Sequence, residues 1–303
     1  MPECSQPKPN FFIVGAAQSG TTSLWMYLKQ HPDVFMPETI DLKELAYFCY
    51  LNGIKDYNKH LSIFEKSHGM KAVGEASHAY LTSPESATWI KDFNPLAKII
   101  IILRNPIERA HSLYNWMISE GYEWIYPFEK ALRMEQKRLE DERFKHCNLE
   151  YWYNYLYFNS GLYSKQFQRY INVFPKKQVY VLLLEDLKEN PISTIQQLYS
   201  FLEVDSSFTP NDLNVYNAKK VPKSVKLQFF AKQRLHKYLL KLRVPCTNKI
   251  QNAILKINCV DSNSRIRHLN IDSATAEKLQ DNYREDIDKT SKIINRDLRS
   301  WHS

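Results

Sequence analysis

Five cysteines, an odd number, are spread over the 303 residues as Cys4, Cys49, Cys147, Cys246 and Cys259, which supports neither a secreted disulfide framework nor a zinc pattern. No long apolar run is present, and the first ten residues, MPECSQPKPN, are polar. The expectation is therefore a reduced, cytoplasmic protein with no signal peptide and no stable membrane insertion. Basic side chains outnumber acidic ones, 41 to 33, for a formal charge of +8, which suits an anionic ligand. Long basic tracts are missing, however, and the charges are mixed as in EKALRMEQKRLEDERFKH, residues 129–146, so nucleic acid is not an expected partner. There is no fixed-period repeat and no sustained heptad. A 44% hydrophobic content suffices for a core, and residues 1–303 read as a single domain with 1–10 a short polar extension.

The informative stretch is FFIVGAAQSGTTSLWMYLKQ, residues 11–30. Phe11 to Val14 reads as a buried strand, Gly15 and Gly20 bracket a four-residue loop, and Leu24, Trp25 and Leu28 recur at helical spacing from Thr21 onward. Such a turn aims backbone N–H groups into one concavity. Gly15, Ala17, Gln18, Ser19 and Gly20 would form its wall, and the Thr21, Thr22 and Ser23 hydroxyls add donors for a phosphate. A ligand-free strand-to-helix turn is the plain alternative. The glycine spacing is that of a P-loop, but Thr21 stands where the P-loop lysine belongs, and no convincing acidic strand end offers to hold magnesium. A nucleotide kinase is thereby disfavoured.

A second strand is expected in KIIIILRNPIERAHSLYN, residues 98–115, with Ile99 to Leu103 buried on both faces and Arg104 at its carboxyl end. A helix beginning near Pro106 carries Arg109 and Ser112. Arg104 supplies a planar fork and Ser112 a compact hydroxyl for one phosphate, while Arg109 supports the fold or rim. Between the two motifs, a short helix is expected near Leu42 to Phe48, and Ala72 and Val73 suggest a strand ending at Gly74 with Glu75 and His78 at its carboxyl edge. Residue chemistry alone leaves Lys43 and Glu44 as a surface pair, Glu75 as a helix-starting acid and His78 as a packed histidine. Downstream, residues 129–146 read as a solvent-bearing helix, Tyr151 to Phe158 as packing aromatics, and Val179 to Leu184 as a buried strand. Residues 216–226 read as a flexible basic loop. Residues 226–242 read as a basic amphipathic helix with Leu227, Phe230, Leu235 and Leu239 on its apolar side, expected to close the core, with transient membrane attraction a secondary reading, and a last helix spans about 273–298.

The run SGTTSLWMYLKQHP resembles the 5′-phosphosulfate loop of sulfotransferases that use 3′-phosphoadenosine-5′-phosphosulfate (PAPS), particularly the heparan-type carbohydrate sulfotransferases and their bacterial relatives. The strand and helix around Arg104 and Ser112 resemble the family's 3′-phosphate site. This resemblance implies an α/β, P-loop-like three-layer fold with a central, mainly parallel sheet, PAPS as donor, PAP as product and no metal. It implies Glu75 as general base, His78 as an acceptor-site group, Lys43 beside the phosphosulfate, Tyr163 near the adenine or 3′ side, and Tyr216, Lys220 and Lys223 in a late nucleotide-binding loop. Gln18 departs from the family, which commonly has lysine there; Lys43 could restore the missing charge. The expected acceptor is a hydroxyl, or alternatively an amine, of a soluble small metabolite, with a glycan or glycolipid as the alternative and a noncatalytic PAP- or PAPS-binding protein as a further one.

Overall fold

The computed structural model describes residues 7–51, 53–214, 220–242, 247–261 and 271–302. They divide into two compact units, one drawn from residues 1–105, 163–216 and 286–297 and the other from 106–162, 217–285 and 298–303.

The first unit holds a five-stranded sheet in the order β2-β3-β1-β4-β5, with every pairing parallel. Its strands are β1 Phe11–Gly15, β2 Val34–Phe35, β3 Ala72–Ala76, β4 Lys98–Leu103 and β5 Val179–Leu183. β1 and β4 are apolar along almost their whole length, and all of β1 and all but the first residue of β4 are buried. That is the pattern of strands covered on both faces. Alternation divides the side chains. Phe11, Ile13, Ile100 and Ile102 pack with Leu24, Trp25 and Leu28 of α1 (Thr21–Leu28) and with Ile195, Leu198 and Leu202 of the helix Pro191–Leu202. On the opposite face Phe12 meets Phe48, which in turn touches Tyr80 and Phe93. That face carries α2 (Tyr57–Ser62), α3 (Ala79–Thr82), α4 (Ser86–Phe93) and α5 (Tyr163–Val173), and the Tyr170 hydroxyl of α5 donates to the Tyr80 carbonyl at 2.8 Å. The α/β architecture expected from the sequence is thus present. Gly74 in β3 is required by close packing: a Cβ there would lie 2.2 Å from Phe11 Cζ and 2.3 Å from Met36 Sδ.

Some boundaries differ from expectation. β3 does not stop at Gly74, because its pairing with β1 continues through Phe12↔Glu75 and Ile13↔Ala76, which puts Glu75 inside the strand. No helix covers 42–48; a single turn Ile40–Leu42 is followed by a bridge from Glu44 to Ala76 that extends the sheet edge.

In the second unit, residues 129–146 are not one solvent-bearing helix but parts of three short ones, and two of their charges are internal. Arg138 Nη2 donates to Glu123 at 2.7 Å, and Glu135 accepts from the backbone N–H of Phe158 at 2.7 Å and of Asn159 at 3.1 Å. The Tyr157 hydroxyl also donates to Glu123, at 2.8 Å, and Tyr151, Tyr155 and Tyr157 are buried, as the packing reading expected. Residues 220–222 form a strand, β6 Lys220–Pro222, antiparallel to β7 Cys259–Asp261, where a loop was expected. Among the described residues, Cys49, Cys147 and Cys259 form no disulfide.

Candidate active site

The site lies in the first unit, at the carboxyl edge of the parallel sheet, where open α/β folds gather their ligands. β1 runs out at Gly15, the Ala16 N–H donates to the Ile102 carbonyl at 2.7 Å, and the chain turns through Gln18 (φ 62°) and Gly20 (φ 94°) into α1. Both glycines are demanded by space as well as by φ. A Cβ on Gly15 would stand 2.8 Å from Leu81 Cβ, and one on Gly20 2.8 Å from Leu184 Cδ1. Gln18 holds a left-handed conformation that a side chain disfavours.

No side chain caps the N-terminus of α1. Helix N-termini concentrate donors and a partial positive charge, so an anion suits this end. Ser19 is fully buried, and its Oγ has no hydrogen-bond partner among the described residues. Thr21 Oγ1 accepts from Lys43 Nζ at 3.3 Å, and Lys43 is 3% exposed. Arg104 Nη1 donates to the Gln18 carbonyl at 3.3 Å, and the Tyr163 hydroxyl donates to the Arg104 carbonyl at 2.8 Å. The structure therefore assembles Gly15, Ala17, Gln18, Ser19, Gly20, Thr21, Lys43, Arg104 and Tyr163 at one edge. Thr22 is half-buried, whereas Ser23 is buried and bonds the Tyr27 hydroxyl. An uncapped helix end, an orphaned buried hydroxyl and a buried ammonium fit a phosphosulfate.

Glu75 is 0% exposed. Its Oε2 lies 2.8 Å from His60 Nε2, and its Oε1 accepts from the Tyr80 hydroxyl. The His60 ring is stacked on Tyr47 at 4.0 Å. Burial, then the negative charge of Glu75, pushes the Tyr80 phenol well up, so Tyr80 remains a donor. His60 escaped the sequence reading because it sits in an otherwise ordinary segment 15 residues before Glu75. Glu44 and His78 form a second, more open pair. Glu44 Oε2 accepts from the His78 backbone N–H and lies 2.9 Å from His78 Nδ1, while Glu44 Oε1 accepts from Lys43. Desolvation pushes the Glu44 carboxyl up, but the charges of His78 and Lys43 and their hydrogen bonds override it and hold the group well below the usual carboxylate range. A depression of about 480 Å³ opens beside Glu44, lined also by Asp41, Ile54, Lys55 and Lys59.

Ser112, on the helix Pro106–Ser119, and Lys220 and Lys223, at and just after β6, belong to the second unit, where Lys223 Nζ donates to the Ile257 carbonyl at 3.1 Å. Tyr216 lies outside the described residues. Among the described residues no group of three His, Cys, Asp or Glu side chains could hold a metal.

A sulfotransferase from Alicyclobacillus acidocaldarius has the same fold, with a TM-score of 0.72 and 27% identity over 98% of this chain and all of that one. Among curated proteins, the membrane-associated sulfotransferase kil1 of Dictyostelium discoideum is 25% identical over 65% of this chain and 56% of its own length. Mouse carbohydrate sulfotransferase 15 is 25% identical over 65% of this chain and 44% of its own, and a Drosophila melanogaster bifunctional heparan sulfate N-deacetylase/N-sulfotransferase 25% over 70% and 21%. The chain thus spans about half or less of these curated relatives. The sulfotransferase domain family matches residues 8–291, nearly the whole chain, which therefore belongs to that family.

Proposed function

We propose that the chain transfers the sulfuryl group of PAPS to a hydroxyl or amine of a saccharide. The observation that carries the donor side is the buried Lys43 ammonium at the uncapped N-terminus of α1, beside the Ser19 hydroxyl. Relatives named for carbohydrate and heparan sulfate sulfation support a sugar acceptor. The soluble-metabolite expectation rested on an argument from location and not from the chemistry of a pocket, a weaker argument than the acceptors those names record.

In this reading, Gly15 to Ser23 cradle the 5′-phosphosulfate, and Arg104 holds the 3′-phosphate. An acceptor oxygen or nitrogen attacks sulfur as the bond from sulfur to the phosphate oxygen breaks, so negative charge grows on that oxygen. Lys43 and the α1 N–H groups meet it there. Gln18 offers a hydrogen bond without charge. Glu75 takes the acceptor proton once the acceptor replaces one of its two bonds, and His60 and Tyr80 hold the carboxylate until then. His78, held by Glu44, faces the acceptor side.

The test is incubation with PAPS, without ATP, against desulfated glycosaminoglycan oligosaccharides and a panel of hydroxylated metabolites, read by PAP release and product mass. Saccharide sulfation is expected. Sulfation of metabolites alone would overturn the acceptor assignment, and no transfer despite intact, bound PAPS would point to a binding protein.

A further inference from the structure

Residues 213–260 contain eleven Lys and Arg and no Asp or Glu, leaving 30 basic against 33 acidic side chains in the rest of the chain. The whole positive excess of the protein therefore resides in one segment of the second unit. In its helical run, Val225–Phe230, Ala231–Leu235 and His236–Lys241, Gln228 and Ala231 face inward. The outward positions recur every three or four residues: Leu227, Phe230, Arg234, Tyr238, then Lys241 and Leu242. Leu227 and Phe230 are each 43% exposed and Tyr238 58%, although the sequence pattern alone turns Leu227 and Phe230 toward the core. Beside them Trp124, 56% exposed, lies 6.2 Å ring to ring from Phe229, and Ile257, at 72%, ends the following helix Thr247–Ile257.

Scattered exposed apolar groups are ordinary, but a continuous row interleaved with uncompensated cations is not. We propose that this face docks reversibly on an anionic lipid bilayer. Lys226, Arg234 and Lys241 meet the headgroups, while Leu227, Phe230, Tyr238 and Trp124 enter the boundary between headgroups and acyl chains. A bilayer uses both halves of the face, anionic headgroups meeting the cations and the acyl boundary the apolar side chains, whereas a sulfated glycan or a nucleic acid would engage the cations and leave Leu227 in water. A short amphipathic face also gives binding that salt reverses, in accord with the absence, among the described residues, of a helix long and apolar enough to cross a membrane.

The test is cosedimentation of the full chain with vesicles of phosphatidylcholine alone or with about 30% phosphatidylserine, at about 0.1 M and 0.5 M salt. Binding to the anionic vesicles only is expected, falling at least about tenfold at the higher salt. The triple variant Lys226→Glu, Arg234→Glu, Lys241→Glu should lower the partition coefficient at least about a hundredfold. The triple variant Leu227→Gln, Phe230→Gln, Tyr238→Gln should lower it about tenfold or more. Tryptophan quenching by brominated lipid should appear in the wild type and fall in Trp124→Phe. The lipid and salt comparisons need no variant, and an unchanged PAP-induced thermal shift certifies the fold of each variant. No binding to anionic vesicles, or equal binding to neutral ones, would overturn the proposal. So would a charge-reversal variant that loses affinity for a soluble sulfated oligosaccharide while vesicle binding is absent in the wild type.

Discussion

Lys43 and Thr21 stand 22 residues apart in sequence, yet the Lys43 ammonium donates to Thr21 Oγ1 at 3.3 Å, at the first turn of α1. The connection between β2 and β3 thereby delivers a buried cation to a loop whose own residue at the family's lysine position is the neutral Gln18. An ammonium 3% exposed is held there by the carboxylate of Glu44 as well, so it is positioned before any ligand arrives.

Lys43→Met should therefore raise the PAPS KM and lower kcat, together by about ten- to a hundredfold, the worth of one charge-assisted hydrogen bond to a phosphate. Gln18→Lys should recover part of that loss in the Lys43→Met background and have a smaller effect alone. Steady-state kinetics and PAP calorimetry on the four proteins measure both. Equal constants in all four would remove Lys43 and Gln18 from the donor site.

For Glu75→Gln, the expectation is a fall in kcat of about 10²- to 10⁴-fold with PAP affinity retained, because the amide keeps the shape and loses the basicity. Tyr80→Phe removes the hydroxyl that donates to Glu75 Oε1 without touching the carboxylate, and should lower kcat less than Glu75→Gln does. Wild-type turnover by a correctly folded Glu75→Gln protein would take Glu75 out of proton transfer.

The phosphate-cradling loop was legible because its chemistry is local: a strand, two glycines and a helix start occur within twenty residues, and the structure keeps that order. β4 was equally plain, since five consecutive apolar residues suit only a strand buried on both faces. What could not be read was anything set by pairing across the chain. Glu75 was placed beyond β3 because Gly74 resembles a terminator, whereas the glycine is there to admit Phe11 and Met36 and the strand continues. His60 reaches Glu75 from α2, a contact no spacing encodes. Glu135 and Arg138 sit in a run of alternating charges that looks solvated, and only the fold shows the chain ends and partners that they satisfy inside. Leu227 and Phe230 err the other way, apolar at helical spacing yet exposed.

Glu44 makes a prediction about pH. Its folded-state pKa is held well below the ordinary value, chiefly by His78 and Lys43 against an opposing desolvation, so the pairing stabilises the fold above the unfolded carboxylate pKa of about 4.3. That stabilisation is lost as pH falls through the folded value. Because 38% of the side chain remains exposed, water screens the effect, and Glu44→Gln should lower Tm near neutrality by only roughly 1–3 °C. The two melting curves should draw together below about pH 4. A difference that widens in acid would have the wrong sign and reject the pairing as the cause.

Arg104 and Arg109, five residues apart, should respond to truncation in opposite ways. Arg104 ends β4 partly exposed, with its guanidinium on the loop carbonyl of Gln18, whereas Arg109 is 0% exposed and Nη2 donates to the Tyr157 carbonyl at 2.6 Å. Removing the Arg104 side chain costs little packing but takes a planar donor from the proposed 3′-phosphate, so PAP affinity should fall about ten- to a hundredfold with Tm in the absence of ligand nearly unchanged. Truncating Arg109 instead opens a cavity and leaves the Tyr157 carbonyl without that donor, a loss of about 2–5 kcal/mol. Part of this is returned, because Nε and Nη1 of Arg109 are buried with no partner among the described residues and their desolvation cost disappears with them. Arg109→Met keeps the stem and removes only the guanidinium, and it should be less destabilising than Arg109→Ala. Calorimetric PAP titrations and thermal melts of the three variants decide the matter. Loss of PAP affinity in Arg109→Met with full stability, beside unaltered affinity in Arg104→Ala, would exchange the two assignments.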